Sequence, residues 1–547
     1  MDDFVLSRRR LLVSAGSFAA TTVFAPQVFA NGLTSAKKAP LFGGGSFPDG
    51  VASGDPTLHS MTLWTRLAGV GGSGRVHLEV AKDSHFKHVV ARTDVATNAS
   101  LNHAVKARIA GLKPHERYFY RFATKSHHSP VGRFQTALPH DSNETVKFAY
   151  WSCQDYTHGF YNAYELMAKE DIDFFVGLGD YIYDEAYHSI ADGTGVRDDT
   201  IGPAPEANTT TSFHHQAITL DQYRKKYELY RTDASLRKVH QLFPYVTTWD
   251  DHEVEDNYAG RPRNGGLPPQ NQYSVARRNA GYRAFFESMP LYDIKGGPGD
   301  RIYRSLRFGR NVELFMLDER QYRDNQPCGD DVVPPCAELP NKRAFLGSKQ
   351  MAYLKKQLKA SKAAWKIIGN EVMIMDTKVG PNTYFGYDSW QGYPGEREEL
   401  AQFIHTQKIE DVIFITGDIH TFVAGDVKTN GGTGDPAGLE FVGGSITSAG
   451  LGESDIPLGG GAVLQGNDQN PNTPAAVINT LKAINPWVDQ ADFDHHGYGL
   501  VHASKNSLDV RLRRMKTIKS HTRDKLPDIR YVVKRGQQSI LGKSAST

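Results

Sequence analysis

Four separated stretches of this chain read as buried β-strands, and each one ends in side chains that bind metal ions. The stretches are FAYWSC, FFVGLGDYIY, VTTWDDHEV and VIFITGDIH. Their ends carry thiol, phenol, carboxylate and imidazole groups: Cys153, Asp180, Tyr183, Asp250, Asp251, His252, Asp418 and His420. The carboxyl ends of the strands in an open α/β sheet lie at the edge where ligands bind. We therefore expect these distant segments to deliver their side chains to one place.

Each of these features has a structural reading when it is taken alone. Gly-Asp after a strand is a common turn, Tyr183 could be a core residue, the Asp-Asp-His segment could cap a helix, and Cys153 could fill a buried apolar space. The joint pattern favours a metal centre, because several buried carboxylates repel one another unless a cation neutralises them. Deprotonated thiols, carboxylates and neutral imidazoles are also the groups that bind metal ions.

The charge balance of the chain argues against two classes of partner. The 547 residues include 61 acidic and 63 basic residues, for a net charge of +2. Such a balance gives no reason to expect nucleic acid or an anionic membrane surface as a partner. The length suffices for one large domain or for several domains of ordinary size.

The N-terminus is predicted to be an export signal. SRRRLL, from Ser7 to Leu12, precedes a short apolar stretch diluted by Ser, Gly, Ala and Thr, and VFA ends at Ala30. The arginines resemble a twin-arginine signal, so residues 1–30 are predicted to be a signal peptide with cleavage after about Ala30. The twin-arginine translocation machinery would then be a partner, and the protein would be secreted or periplasmic with its metal loaded before export. The alternative is a membrane anchor, but the apolar run is shorter than the ~20 residues that a span needs.

The three cysteines divide into a pair and a single residue. Cys328 and Cys336 lie in one loop, CGDDVVPPC, and an oxidising compartment favours a disulfide between them. Cys153 is the odd one. An unpaired Cys in an exported protein is either buried and inert or a ligand or nucleophile.

The apolar pattern predicts two domains after a linker at residues 31–45. Residues 46–138 alternate apolar and polar positions, as in RVHLEV and RYFYRF, and GLKPHERYFYRF resembles fibronectin-type sequences. A small β-sandwich is expected there. Residues 144–547 alternate apolar strands with helical stretches, which predicts an α/β domain of the layered α+β sandwich type, with a β-sheet core flanked by helices.

Three smaller predictions concern single segments. GSKQMAYLKKQLKAS is predicted to be a helix with Ser348 as its N-cap. Residues 186–218 and 259–273 are polar and rich in Gly, Pro, Asn and Thr, and we expect them to be loops over the site. The C-terminal stretch KLPDIRYVVKRGQQSILGK could cover the site or extend away from it.

The longest motifs resemble those of one family. GDYIY fits the G-D-x-x-Y of purple acid phosphatases, and WDDHEV and GDIH occupy the places of the G-N-H-E and G-H-x-H elements of the calcineurin-like metallophosphatase superfamily. More closely, the chain resembles the PhoD family of secreted alkaline phosphatases and phosphodiesterases. The matching segments run in the family's order through nearly all of the chain after the signal: VASGDP, SCQ, GLGDYIY, WDDHEVEDNY, DERQYRDNQPC, FLGSKQMAYL, WKIIGNEVM and TGDIH.

This resemblance implies an Fe(III) ion with Ca2+ nearby. The residues that it assigns to iron are Cys153, Asp180 (which would bridge the metals), Tyr183 and His420. Those that it assigns to calcium are Asp250 or Asp251, together with Asn257 and Asp418. Tyr and Cys anions are strong ligands for trivalent iron, while carboxylate and amide oxygens suit calcium. One departure is Gln391 in DSWQGYPGER, where the family pattern leads us to expect Asp.

The expected reaction is hydrolysis of phosphate esters by in-line attack of a metal-bound hydroxide or oxide, without a covalent phosphoenzyme. His252 is expected to protonate or stabilise the leaving oxygen, or else to make only a supporting hydrogen bond. Arg320, Arg323 and Arg397 could bind phosphoryl oxygens, and each has a structural salt bridge as its alternative. Asp318 is expected to orient its neighbours.

Two other functions are compatible with the sequence. The same site could serve a phospholipase D-like or teichoic-acid-directed phosphodiesterase rather than an alkaline phosphatase with phosphodiesterase activity. A protein that is not an enzyme could use the metals for stability and bind phosphorylated surface polymers without turnover. Assays of a phosphomonoester, a phosphodiester and a phospholipid discriminate among these functions.

Overall fold

The computed structural model describes residues 27–30, 39–203, 215–260, 274–291, 301–330, 336–380, 383–384, 386–458 and 462–542. Most of the predicted signal peptide and linker, and most of the second polar insertion, lie outside these residues. Within the described part of the chain, no helix combines the length and the apolar character that a bilayer crossing requires.

The described chain forms strands β1–β25 and helices α1–α7. The strands before residue 139 are β1 (Gln27–Ala30), β2 (Val51–Gly54), β3 (Ser60–Arg66), β4 (Ser73–Ala81), β5 (Val89–Asn98), β6 (Ala104–Ala110), β7 (Arg117–Ala123) and β8 (Gly132–Gln135). The later strands are β9 (Val146–Trp151), β10 (Phe174–Gly177), β11 (Pro244–Thr247), β12 (Arg304–Phe308), β13 (Val312–Met316), β14 (Trp365–Asn370), β15 (Lys378–Gly380), β16 (Thr383–Tyr384), β17 (Val412–Thr416), β18 (Phe422–Lys428), β19 (Pro436–Gly443), β20 (Ile456–Leu458), β21 (Ala462–Leu464), β22 (Val488–Asp492), β23 (Gly497–Ala503), β24 (Ser507–Arg514) and β25 (Ile529–Lys534). The helices are α1 (Asn162–Met167), α2 (Leu220–Tyr230), α3 (Ala234–Leu242), α4 (Val275–Ser288), α5 (Gly347–Ala360), α6 (Pro394–Thr406) and α7 (Ala475–Ile484).

Two large sheets pack face to face. One has ten strands in the order β1-β6-β3-β2-β11-β10-β9-β23-β24-β25, and the other has seven in the order β12-β13-β14-β17-β19-β18-β22. Apolar side chains from both fill the space between them, including Phe148, Phe174, Leu314 and Phe441. Helices α1–α4 cover the outer face of the first sheet, and α5–α7 cover that of the second. This arrangement confirms the predicted layered fold with its β-sheet core between helices.

Parallel pairing brings the strand ends of interest to one edge. β9, β10 and β11 are parallel neighbours in the ten-stranded sheet. β13, β14, β17 and β19 are parallel neighbours in the seven-stranded sheet. These strands are mostly apolar and mostly buried, because the other sheet covers one face and helices cover the other.

The N-terminal β-sandwich shares one of its sheets with the rest of the protein. Strands β5-β4-β7-β8 form a separate four-stranded sheet, which packs on β3 and β6 through an apolar core. β3 and β6 belong to the ten-stranded sheet, because β2 pairs with β3 on one side and runs parallel to β11 on the other. The indole N–H of Trp64 also donates to the Glu287 carbonyl at 2.8 Å. The apolar pattern predicted a sandwich but did not reveal this continuity.

The prediction that Ser348 caps helix α5 is wrong. The helix begins at Gly347, Leu346 occupies the N-cap position, and no side chain caps the helix from there. Glu396, at the start of α6, accepts hydrogen bonds from the backbone N–H groups of Phe345, Leu346 and Gly347 at 2.7–3.2 Å. The free N–H groups of a helix N-terminus accept any well-placed oxygen, so a carboxylate from a distant segment can replace the local cap.

Two further segments adopt definite structures. Cys328 and Cys336 form a disulfide with their Cα atoms 5.8 Å apart, which confirms the predicted pair. The C-terminal stretch neither covers the site nor extends away, because β25 pairs with β24 at the end of the ten-stranded sheet. The backbone N–H of Ile540 then donates to Asp426 at 2.9 Å and fixes the chain beyond that strand.

Candidate metal centre

The strand-end side chains meet at the carboxyl edge of both sheets. Their ligand atoms form three overlapping sets, each with its atoms within 4.8 Å of one another: Cys153, Asp180 and His420; Asp180, Asp251 and His252; Asp250, Asp251 and Asp418. The Tyr183 hydroxyl joins them, since it donates to Asp180 at 3.1 Å and lies 3.0 Å from His420 Nε2. Strands β9, β10 and β11 supply the groups from the first sheet, and β17 supplies Asp418 and His420 from the second.

Five of these ligand-type residues have left-handed backbone conformations. Their φ angles are 56° for Cys153, 54° for Asp180, 54° for Asn257, 68° for Asp418 and 53° for His420. Asp, Asn and His are enriched among the few residues other than glycine that adopt this region, whereas Cys is not. Strained residues of this kind cluster at functional sites, where the surrounding structure holds them.

Two glycines allow the turns at these strand ends to approach each other. Gly179 has a φ of 113°, and a Cβ there would overlap the Asp250 side chain. A Cβ on Gly417 would overlap the Ser152 side chain in the same way. Glycine at both positions therefore permits turns from different strands to lie side by side and to present their acidic neighbours to a common space.

Glu253, which the sequence reasoning did not single out, fixes two of the turns. Its carboxylate accepts hydrogen bonds from the backbone N–H groups of Asp180 at 3.1 Å, Tyr181 at 2.6 Å and Asp250 at 2.7 Å. A buried carboxylate with three N–H donors is well satisfied, so it can hold neighbouring backbone rigidly. The only local signal was its place directly after the Asp-Asp-His segment.

Arg320 lies fully buried among the acidic groups. Its Nε donates to Asp250, and its Nη1 donates to Asp388 at 2.9 Å. Its Nη2 lies 3.4 Å from Asp251 and 3.7 Å from Asp418. This predicted arginine therefore belongs to the centre.

Asp388 was also missed by the sequence reasoning, and it organises the second arginine. Arg323 binds both the side chain and the carbonyl oxygen of Asp388. Gln391, the departure noted from the family pattern, accepts from the Thr377 N–H at 2.9 Å and donates to the Gly386 carbonyl at 2.8 Å. Gln391 thus fixes the loop that carries Asp388.

Two further predicted residues, His252 and Asp318, are held by contacts with neighbouring residues. His252 Nδ1 is 2.9 Å from Asp184, and its ring stacks on Tyr183 with centroids 4.1 Å apart. Asp318 accepts from the Trp249 indole at 2.9 Å and from the Gln321 N–H at 3.1 Å, so it does orient its neighbours.

Arg397 lies apart from the centre. Its guanidinium binds the Ile374 and Lys428 carbonyls and pairs with Asp376 at 3.1 Å. Within the described residues, no contact joins Arg397 to the ligand-type groups. Its bonds instead fix α6 against the chain that follows β14 and against the end of β18.

The electrostatics of the cluster fit a bound cation. Burial, and then the charge of Asp251, raise the pKa of Asp180 well above its usual range. Burial and Asp250 do the same to the pKa of Asp418, and burial and Asp180 raise that of the Cys153 thiol. Asp250 Oδ2 and Asp251 Oδ1 are buried and accept no hydrogen bond from the described residues. A metal ion would supply the missing positive charge and favour the deprotonated ligands.

A second group of titratable side chains lies outside this centre. His158, His188 and Asp468 place their ligand atoms within 4.8 Å of one another. The Lys519 ammonium already pairs with Asp468 at 2.8 Å, and His158 Nδ1 lies 2.5 Å from the Thr447 carbonyl. Because a cation there would meet the ammonium group, we assign no metal to this cluster.

A layered sandwich with ligand groups from the carboxyl edge of both sheets defines a protein of the metallophosphatase type. Two family models match the chain: PhoD-like phosphatase over residues 148–512, and the N-terminal domain of PhoD-like phosphatase over residues 34–138. The chain belongs to the PhoD-like phosphatase family and is a phosphoric ester hydrolase. Membership also implies metal dependence.

Two individual relatives agree with this assignment. Alkaline phosphatase D of Bacillus subtilis (strain 168) is 37% identical over 464 residues, which are 81% of this chain and 77% of that protein. A solved structure of PhoD has a TM-score of 0.79 and 33% identity, covering 93% of this chain and 94% of its own. The purple acid phosphatase PPD1 from yellow lupin (Lupinus luteus) seeds is a more distant likeness, with a TM-score of 0.48 and 12% identity over 89% of this chain and 74% of its own.

Proposed function

We propose that this protein is an exported phosphatase and phosphodiesterase whose centre holds an Fe(III) ion with Ca2+ nearby. The observation that carries the proposal is the meeting of thiol, imidazole and carboxylate groups within 4.8 Å in overlapping sets, with the Tyr183 phenol 3.0–3.1 Å from two of them. The proposed iron ligands are Cys153, Asp180, Tyr183 and His420. The proposed calcium ligands are Asp251, Asn257 and Asp418, with Asp250 as the alternative to Asp251. We favour Asp251 because it belongs to two of the three sets, whereas Asp250 is bonded to the Arg320 Nε.

When bound, the cations would polarise the phosphoryl oxygens and lower the pKa of a water molecule. Arg320 is the residue that we propose to hold a phosphoryl oxygen, because its Nη2 donates no hydrogen bond to the described residues. Asp250 and Asp388 fix the other two nitrogens, so this donor is held in one direction. Arg323 holds Asp388 and is proposed as a positioning residue. Arg397 has no part in the proposal, because its bonds are made elsewhere.

His252 is proposed to pass a proton to the leaving oxygen. Asp184 fixes the ring through Nδ1 at 2.9 Å, and Arg277 holds Asp184 at 2.6 Å. Nε2 lies 3.7 Å from Asp256, which is beyond hydrogen-bond range, so this nitrogen is left for the substrate. A fixed ring with one uncommitted nitrogen is the arrangement that general acid catalysis requires.

The metal assignment is tested by elemental analysis and a visible spectrum of the purified protein. A phenolate bound to Fe(III) gives a visible charge-transfer band, so Tyr183→Phe should remove the band. Tyr187→Phe is the matched control, because that ring also lies beside His252, with centroids 5.6 Å apart, but contributes no proposed ligand. A colourless, iron-free and fully active protein would overturn the iron assignment.

The activity is tested with p-nitrophenyl phosphate and its bis ester. We expect both to be hydrolysed, hydrolysis to stop after chelation, and activity to return when calcium is restored to protein that has kept its iron. Binding of phosphate esters without any turnover would contradict the proposal and support the binding protein instead.

Export is proposed to follow the twin-arginine route, with residues 1–30 removed. Lysine at positions 8–10 should then leave the protein in the cytoplasm with its N-terminus intact, because this route reads the arginine pair. Normal export of that variant would contradict the proposed route. The disulfide between Cys328 and Cys336 supports an oxidising destination.

A further inference from the structure

A cavity of about 590 Å3 opens beside the proposed metal centre. Asn257, Asp418 and His420 line one part of it, so the cavity and the centre share a wall. Other parts of the wall are mainly apolar and include the core side chains of Met373 and Phe493, while polar side chains such as Thr377 and Lys378 interrupt the apolar surface. A substrate held at the centre can therefore extend directly into this space.

Helix α7 closes the cavity with an apolar face. Val477, Leu481 and Ile484 line the cavity, and their spacing of four and three residues places them on one side of the helix. None of the side chains of α7 is fully buried. Val477 and Leu481 also pack against the core of the second sheet, so the apolar face of α7 lies between that core and the cavity and stays partly open to it.

The composition of the wall selects among phosphate esters. Apolar side chains cannot replace the hydrogen bonds that a polar chain makes with water. A polyol phosphate would therefore lose hydrogen bonds on entering this cavity. An aliphatic chain instead gains free energy with each methylene that it buries. A volume of this size lies within the range of cavities that enclose whole organic ligands.

We propose that this cavity binds an aliphatic chain of the substrate, so that the preferred substrates are phosphodiesters with a long alkyl or acyl group. The inference rests on the proposed function, because the phosphoryl group must lie at the metal centre. In the reaction a water oxygen bonds to phosphorus, the bond from phosphorus to the leaving oxygen breaks, and a proton passes to that oxygen. The retained ester keeps its aliphatic chain in the cavity throughout.

A series of alkyl p-nitrophenyl phosphates, used below their micelle concentrations, tests the inference. Release of p-nitrophenol is measured for the methyl, butyl and octyl esters. We expect KM to fall about threefold for each buried methylene, and thus by up to ~2,000-fold from the methyl to the octyl ester if all seven added methylenes are buried. An equal KM across the series overturns the inference and leaves the proposed function intact. Failure to hydrolyse even the methyl ester overturns the proposed function itself.

Two variants of α7 test whether the preference for long alkyl esters arises in this cavity. Leu481→Ser should raise KM for the octyl ester about tenfold more than for the methyl ester, because it removes apolar area from the wall. Asn479→Ser, an exposed position outside the lining, is the control and should change neither value. An unchanged preference for the octyl ester in Leu481→Ser overturns the assignment to this cavity.

Phosphatidylcholine in mixed micelles tests whether the aliphatic chain bound in the cavity belongs to a lipid or to a soluble alkyl ester. Hydrolysis of this lipid together with the octyl ester supports the inference and identifies lipids as the source. Hydrolysis of the octyl ester alone also supports it and identifies soluble alkyl esters.

Discussion

Cys153 and His420 keep backbone conformations that a residue with a Cβ adopts only at a cost. Their φ angles of 56° and 53° lie in the left-handed region, which costs roughly 1–2 kcal/mol per residue. Glycine would avoid that cost but carries no thiol or imidazole. Backbone strain is therefore found at the positions whose thiol and imidazole groups are proposed to bind the metal.

The ligand-type residues could be predicted from the sequence, whereas their supports could not. Cys153 and Asp180 follow apolar strands directly, and their polarity contrasts with the strand before them. Glu253 and Asp388 act on backbone or arginine groups that come from other strands. Local patterns contain no information about such partners.

Replacing Glu253 with Gln should weaken metal binding about 10–100-fold, as is typical when a residue that supports metal ligands is changed. The amide presents one acceptor oxygen where the carboxylate presents two to the three N–H groups. Metal content and the hydrolysis of p-nitrophenyl phosphate measure the effect. Glu144→Gln, a largely exposed site, is the control, and a fully loaded and active Glu253→Gln protein would contradict the assigned role.

Replacing Arg320 with Lys should lower kcat/KM by about 10²–10³-fold while the metals stay bound. A lysine carries its three donors on one nitrogen, so it does not span the separate positions from which the guanidinium bonds Asp250, Asp388 and a phosphoryl oxygen. Arg530→Lys, on β25 beside Asp509, is the matched control. If Arg320→Lys kept its full kcat/KM, Arg320 would contribute only its ion pairs with the acidic residues, and the proposed bond to a phosphoryl oxygen would be wrong.

At the scale of the element, carboxylates from distant segments replace local caps. Glu396 of α6 binds the N-terminal amides of α5, and the nearby Ser348 does not. Sequence reasoning placed α5 correctly from its apolar spacing, since Met351, Leu354 and Leu358 are buried. It failed at the cap because the supporting oxygen comes from a different helix.

Replacing Glu396 with Ala should lower the free energy of unfolding by about 1–2 kcal/mol, the usual loss on removing a helix cap. Urea denaturation measures this difference. Glu399→Ala is the control in the same helix, where only an exposed pair with Lys355 is lost and a change below ~0.5 kcal/mol is expected. An equal loss of unfolding free energy in both variants would mean that the Glu396 cap contributes no more to stability than the exposed pair of Glu399 with Lys355.

Asp492, at the end of β22, should make stability depend on acid pH. Burial would raise the pKa of its carboxyl, but bonds to His495 and Arg514 lower it to about 2. Because the unfolded value is about 3.9, the ionised group stabilises the fold above pH ~4, and this contribution of about 2 kcal/mol is lost as the pH falls towards ~2. The difference in unfolding free energy between the protein and Asp492→Asn should therefore shrink between pH 5 and pH 2.5. A constant difference would contradict this linkage.

At the scale of the whole molecule, the sequence predicted the layers but not their connections. Alternation and apolar runs were enough to predict a sandwich followed by a layered domain. The parallel pairing of β2 with β11 joins segments that are far apart in the chain, and no local pattern specifies such a partner. The result is one continuous sheet across the predicted boundary near residue 138.

Removing the metals should lower the stability of the entire protein. Ions that bind only the folded state contribute about 3–4 kcal/mol when present at roughly 100–1,000 times their dissociation constant. Thermal denaturation with and without a chelator measures the loss, which should be reversed when the metals are restored. Asp180→Asn is the control, because a chelator should shift its unfolding little further. An unaltered unfolding temperature after complete metal removal would contradict this prediction.

The proposed ligands come from the two sheets separately: Cys153 and Asp180 from one, Asp418 and His420 from the other. Ions bound at this seam would hold the strand ends of the two sheets together, so metal binding would favour the completely folded protein. The proposed export route transports folded proteins. It would therefore favour chains that have already bound their ions, although the transporter does not contact the ions.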